Sequence, residues 1–178
     1  MNAAPQSASS RWPNVPACYG WLALDARGNW RLGEDGREIV HHRGLIDFLS
    51  RNYAMTERGE WFVQNGPQRV YVKLIRAPYI VRLDETGTWQ THSGLFVRQI
   101  TEALVDAEGN AYLVCEHGLA GIDDRDLARL LSSDGADDDA MALGFVSLDN
   151  RRFPLVCVDA DTLPARFGFV RQPLAAVT

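Results

Sequence analysis

The sequence predicts an α+β fold made of two tandem repeated subdomains, each a curved antiparallel sheet packed with one helix, with an extra short helix in the second. Three observations predict it. A phrase recurs, Leu24-Asp-Ala-Arg-Gly-Asn-Trp30 and Leu83-Asp-Glu-Thr-Gly-Thr-Trp89, its tryptophans 59 positions apart. A second landmark, His-x-Gly-Leu, recurs at His42–Leu45 and His92–Leu95, 50 positions apart. Glycine turns leading into aromatic-bearing strands follow each, in the same order. Landmarks kept in the same order, with the offset changed only by nine extra residues before the first copy's helix, are the mark of an internal repeat, although Gly-turn-aromatic phrases also recur in β-rich proteins generally.

Taken in chain order, residues 1–18 carry Ser, Ala, Pro and Asn and are expected to be a mobile tail. The first unit is placed at 19–83 and the second at 84–178. The quoted phrase reads as a strand end, a tight turn that needs glycine, and a new strand opening on a buried aromatic. Glu34-Asp-Gly36-Arg37 signals a hairpin that the second copy lacks. Leu45, Phe48 and Leu49 share one face of an expected helix, with Ile46 and Tyr53 beside them. In the second copy Phe96, Val97, Ile100, Ala103 and Leu104 have the same spacing, with Ser93 as N-cap. Gly59-Glu-Trp61-Phe-Val63 and Gly109-Asn-Ala-Tyr112-Leu-Val114 read as turn and strand. Arg76-Ala-Pro78-Tyr-Ile-Val81, closing the first unit, answers Arg152-Phe-Pro154-Leu-Val-Cys157. About 120–143 is an insertion: a short helix with Leu127, Leu130 and Leu131, capped by Asp123 or Asp124, then the acidic loop Ser132–Asp139. Trp30, Trp61 and Trp89 are expected to pack the core.

Composition narrows the function classes. Of 178 residues, 46% are hydrophobic and 23% charged, as in an ordinary soluble globular protein. Cys18, Cys115 and Cys157 are odd in number and widely spaced, which suggests neither a disulfide framework nor a CxxC zinc site. With no apolar run near the ~20 residues a bilayer requires and no secretory leader pattern, a cytoplasmic protein without membrane contact is expected. The net charge of −5 argues against nucleic acid as a partner. The charge is divided: residues 1–83 hold 11 Lys+Arg against 7 Asp+Glu, a net of +4, and residues 84–178 hold 7 against 16, a net of −9. Opposite halves allow self-association.

The pattern G-x-W, an L-rich helix, G-x-(W/Y) and a strand ending A-P-(Y/F)-x-V, carried mainly by Gly28 to Leu83, resembles uncharacterised proteobacterial families of domains of unknown function. The resemblance implies a duplicated α+β fold, a bacterial cytosolic protein and a signalling or regulatory role. It brings no catalytic residue.

The candidate sites follow from residue chemistry. On the stretch Gln68–Ile75, Val70, Val72 and Leu74 alternate with Arg69, Tyr71 and Lys73. The second set puts two cations around one aromatic, a face suited to a small anionic ligand or an acidic partner segment. The alternative is an edge strand whose charges prevent aggregation. Arg82 is added to this ligand-binding set. His42 and His92 sit at equivalent positions, but no HExxH, HxH or CxxC accompanies them, and no metal is expected. Cys115 and His117, two apart on a strand, could pair as nucleophile and base, although the apolar run before Cys115 fits a buried thiol. Asp134–Asp139 lacks the alternating ligands of a calcium loop. No phosphate loop, GxGxxG or GxSxG is present, so no cofactor is expected. The sequence therefore favours a non-enzymatic binding or regulatory module, with an enzyme of unfamiliar type using His92, His117 or Cys115 as the alternative.

Overall fold

The computed structural model describes residues 16–131, 145–148 and 151–175. Two mixed sheets stack on each other. The first contains β1 (Ala17–Leu24), β2 (Trp30–Leu32), β3 (Glu38–Ile39), β4 (Tyr53–Met55), β5 (Trp61–Asn65) and β6 (Gln68–Leu74), with helix α1 (Arg43–Arg51) between β3 and β4. Its strand order is β3-β2-β1-β6-β5-β4. The second contains β7 (Tyr79–Leu83), β8 (Trp89–Thr91), β9 (Ile100–Val105), β10 (Ala111–Cys115), β11 (Gly118–Ile122), β12 (Phe145–Leu148) and β13 (Arg151–Cys157), with helix α2 (Asp124–Leu131) after β11 and the short α3 (Leu163–Phe167) near the end. Its order is β12-β13-β9-β10-β11-β7-β8.

Hairpins alone would give the expected antiparallel sheets. Instead β1 runs parallel to β6, β7 to β11 and β13 to β9, so both sheets are mixed. Strand Tyr79–Leu83, expected to close the first unit, pairs with β8 and β11 and lies in the second sheet. Set side by side, β2-β1-β6-β5-β4 and β8-β7-β11-β10-β9 have the same neighbours and the same strand directions.

The recurring phrase has a local cause. Asp25 accepts the backbone N–H of Arg27 and Asn29, both at 2.9 Å, and its carbonyl accepts from Gly28 at 3.1 Å. Asp84 does the same for Thr86 and Thr88, with Gly87 as the third donor. Asp106 repeats it with Glu108, Asn110 and Gly109. Thr56, Gly59 and Glu60 make a weaker version around a hydroxyl. Thr91 repeats the hydroxyl version with Gly94 and Leu95, so an Asp or Thr opening the turn and a glycine three residues on is the turn code of this chain, used five times among the described residues. It matches the general role of Asx side chains in turns.

The central strands β10 and β11 of the second sheet are buried on both faces, and the sheet divides its apolar residues by period two. Ile80, Leu104, Tyr112 and Leu119 face the first sheet and share one core with Leu22, Leu24, Trp30, Val63, Val70, Val72 and Leu74. Val81, Ala103, Val105, Leu113, Ala120 and Ile122 face the other way, toward Val146, Leu155 and Leu127 of α2. The C-terminal segment crosses back: Leu163 and Phe169 enter the first core, Leu74 N–H donates to Arg171 O at 2.7 Å, and Val170 N–H donates to Gly59 O at 2.9 Å.

Helix α1 forms where the apolar spacing placed it. His42 is its N-cap, with Nδ1 accepting from Leu45 N–H at 3.2 Å, and Leu49 is fully buried. Trp30 Nε1 reaches Ser50 Oγ at 3.3 Å. The helix expected after His92 does not form. Residues 91–94 make a turn at Gly94, and Glu116 takes the backbone N–H of Arg98 and Gln99. Ile100–Val105 is then strand β9. The error has a physical origin: an irregularity at Thr101 shifts the pairing with β10 and leaves Thr101 and Glu102 both exposed, so the apolar residues Ile100, Ala103 and Leu104 fall at helical spacing instead of alternating. Ser93 is not an N-cap; its hydroxyl meets Thr91 Oγ1 at 3.0 Å. The expected hairpin at Glu34–Arg37 is present as a 3-10 turn joining β2 to β3, and the helix of the insertion is α2. Strand β1 starts at Ala17, inside the expected tail. The rest of that tail through residue 15, and the acidic loop Ser132–Asp139, lie outside the described residues.

Candidate functional site

The alternation on β6 places its residues as expected. Val70 and Val72 are fully buried, and Leu74 nearly so. Arg69, Tyr71 and Lys73 stand on the opposite, outer face of the first sheet. However, β6 is not an edge strand; it lies between β1 and β5. Tyr71 is also more enclosed than an open face implies. Its ring stacks on Tyr19 with centroids 4.3 Å apart and planes 4° from parallel, and Phe62 stands beside it at 6.1 Å. The Arg69 guanidinium lies 4.8 Å over the Phe62 ring. Lys73 and Tyr71 line a small solvent-open depression with Gly20, Ala23, Gly36, Gln172 and Pro173. Neither Arg69 nor Lys73 meets a carboxylate among the described residues.

Arg82 does not join this set. It lies on β7 of the other sheet, where its Nε sits 3.4 Å from the Asp123 carboxylate. Asp123 is fully buried and is also held by Arg125. Arg27, in the first Asp-x-x-Gly turn, makes a two-pronged pair with Asp124 at 3.0 and 2.9 Å, joining the two sheets through α2.

The Cys115–His117 pair does not assemble. Cys115 Sγ points to Gly118 O at 3.4 Å, and burial pushes its thiol above the ordinary value. A thiol held protonated is a poor nucleophile. His117 Nε2 contacts Phe96 O at 2.9 Å, and its ring is 6.1 Å from Tyr79. Among the described residues no three His, Cys, Asp or Glu side chains converge for a metal.

His92 has a different setting, at the junction of the sheets. Its ring lies 5.2 Å from Trp30, 5.6 Å from Tyr53 and 5.9 Å from Tyr79. Trp61 closes the group, 4.5 Å from Tyr53 and 5.2 Å from Tyr79. Backbone positions this ring: His92 N–H donates to Ile80 O at 2.7 Å, and Ile80 N–H donates to Nδ1 at 3.3 Å. Burial lowers the His92 pKa to about 3, so the ring is neutral at physiological pH. Gly28 of the first turn packs against this spot with φ +78°, and a Cβ there would stand 2.9 Å from His92 Cβ. The sequence offered Trp30 and Trp61 as packing residues and His92 as a helix-start residue. Their meeting was not visible, because each comes from a different strand or turn.

No helix among the described residues is long and apolar enough to cross a membrane. A family model, DUF2944, described as a protein of unknown function (DUF2946), matches residues 1–174. A solved DUF1285 family protein from Silicibacter pomeroyi DSS-3 is 15% identical, with 89% of this chain and 91% of that chain covered and a TM-score of 0.55. A DUF1285 family protein from Shewanella baltica OS155 is 13% identical over 62% of this chain and 89% of that chain, with a TM-score of 0.45. The first likeness is one of fold alone. No curated protein matches the chain.

Proposed function

We propose that this chain, which belongs to the DUF2944 family of proteins of unknown function, is a binding or regulatory module of the bacterial cytoplasm rather than an enzyme. Its partner is an anionic group, either a small oxyanion or an acidic segment of another protein, that docks on the outer face of the first sheet. One observation carries this reading. Lys73 lines a solvent-open depression on a central strand and has no carboxylate partner among the described residues. Charges on an edge strand are explained by protection against strand pairing, but a central strand has no free edge to protect. Arg69 extends the positive field, and the stacked Tyr19–Tyr71 pair gives the face a rigid floor. The matching strand orders of the two sheets support the further reading that the units arose by duplication, with the cationic face kept in the first.

The reading is tested by calorimetric titration of the full chain with a short polyglutamate peptide and, separately, with inorganic phosphate. The wild type is expected to bind one of them, more weakly as salt is raised. Arg69→Glu with Lys73→Glu should weaken binding at least tenfold. Its melting temperature should shift little, since the loss is chiefly the Arg69–Phe62 contact, worth about 0.5–1 kcal/mol at an exposed position. Undiminished binding by the double variant would refute the assignment.

A further inference from the structure

Given the outer-face reading, on which this rests, we infer that the partner is an extended acidic segment of another protein, with two carboxylate side chains four residues apart and an uncharged apolar residue midway between them. The spacing of the two cations sets this requirement. Arg69 and Lys73 stand four residues apart on one face of β6, which runs unbroken from Gln68 to Leu74. At the rise of an extended strand their Cα atoms are about 13 Å apart. The side chains also lean to opposite flanks of β6, which lies between β1 and β5. The Arg69 guanidinium lies over Phe62 of β5, whereas Lys73 lines the depression walled by Gly20 and Ala23 of β1 and by Gly36 beyond it. A single phosphate-sized anion can therefore be met by one of these cations but not by both. Arg31, brought to the same face by its pairing with Ala23, is already held by Asp25 at 2.9 Å.

An extended peptide has the matching period. Its side chains at i, i+2 and i+4 line one face, and the outer two are separated by the same distance as the cations. Laid along β6 in either direction, it sets one carboxylate at each cation and its middle side chain over the rings between them. Those rings are Tyr71, which is buried, the half-exposed Tyr19 stacked on it, and Phe62 alongside. Ring faces and edges suit an apolar side chain. A third carboxylate at the middle would gain no cation. It would also meet negative charge, since burial, Tyr71 and the Glu60 charge together raise the Tyr19 pKa. Charge-assisted contacts at the two ends then select partners by the spacing of their acids.

The test titrates the full chain with two capped peptides of one composition, each set in a Gly-Ser frame. In Glu-Ser-Leu-Ser-Glu the acids are four apart and share a face with the leucine; in Ser-Glu-Leu-Glu-Ser they are two apart and face away from it in the extended form. The first should bind at least tenfold more tightly than the second. Arg69→Gln and Lys73→Gln should each abolish that preference. Equal binding of the isomers, binding of neither, or tighter binding of an oligothymidylate than of the first peptide would overturn the inference. The polyglutamate and phosphate titrations separate the two failures. If either of those anions still binds, the outer face remains an anion site without the spacing rule; if neither does, both readings fall. The isomer comparison is made on the wild type and stands even where a variant fails to fold.

Discussion

Gly59→Ala is expected to detach the C-terminal segment from the first core and to destabilise the chain far more than the same change at Gly109. Both glycines close an Asp- or Thr-led turn in the left-handed region, at φ +79° and +82°. An alanine in that region costs about 1–2 kcal/mol at either place. The surroundings differ. A Cβ on Gly59 would run into the Gly168 carbonyl oxygen and stand 3.1 Å from Phe169 Cα, whereas one on Gly109 would meet nothing. These are backbone atoms that cannot swing aside, so the segment must move. The Val170–Gly59 hydrogen bond then breaks, and Phe169 and Leu163 lose burial worth about 1.5–3 kcal/mol each. If the segment detaches fully, about 4–8 kcal/mol follows for Gly59→Ala, against about 1–2 for Gly109→Ala. Urea unfolding measures both, and limited proteolysis should show new cleavage close to Asp159 in the first variant only. Equal losses in the two variants would mean that the C-terminal segment contributes little to the core.

The second large effect is expected at Asp106. This carboxylate is 7% exposed and receives the N–H of Glu108 and Asn110, the Asn110 side-chain amide and the Tyr112 hydroxyl. Asn110 in turn accepts from Arg76 at 2.6 Å, and Arg76 holds Ile122 O at 3.1 Å. The chain of contacts ties the linker between the sheets to the second sheet. Asp106→Ala leaves a buried tyrosine hydroxyl and two turn amides without their acceptor, and a loss of about 3 kcal/mol is expected. Asp84→Ala, at the exposed counterpart, should cost less. The same group gives a pH dependence. Burial on its own would raise the Asp106 pKa, but the bonds from Asn110, Tyr112 and Glu108 outweigh it and hold the carboxyl below its ordinary value. A depressed carboxyl stabilises the fold above its unfolded pKa of about 4, and that contribution is lost as pH falls through the lower folded value. The wild type should therefore lose stability below about pH 4, and Asp106→Ala should show a shallower acid limb in the same range. Identical acid limbs would assign that pH dependence to other carboxylates.

What could be read in the sequence, and what could not, divides by the range of the interactions. Local codes were legible. The Asp-x-x-Gly turns, helix α1 with its buried Leu49, the 3-10 turn at Glu34–Gly36 and helix α2 all depend on residues within a few positions of each other. The buried set Val70, Val72 and Leu74 was legible for the same reason. Pairings between distant segments were not. Nothing near Ala17–Leu24 announces that it will run parallel beside Gln68–Leu74, and that pairing makes β6 central. Ile100–Val105 was misread because the pairing irregularity at Thr101 leaves two polar residues in succession, which removes the alternation that marks a strand. Arg82 was grouped with Arg69 and Lys73 by charge, but the chain passes to the other sheet between them, and Asp123 holds it there. The aromatic cluster was hidden because Trp30, Tyr53, Trp61, Tyr79 and His92 come from five places in the chain and meet only after the sheets stack.

The central claim is that the outer face of the first sheet is a docking site for an anionic group. Nitrogen–proton correlation spectra of the full chain, recorded while polyglutamate peptide or inorganic phosphate is added, test it most directly. The account predicts shifts concentrated at Tyr19, Phe62, Arg69, Tyr71 and Lys73, fading as salt screens the charges. Shifts centred instead on Arg27, Arg82 and Arg125 beside α2, or no shifts with either anion, would contradict it.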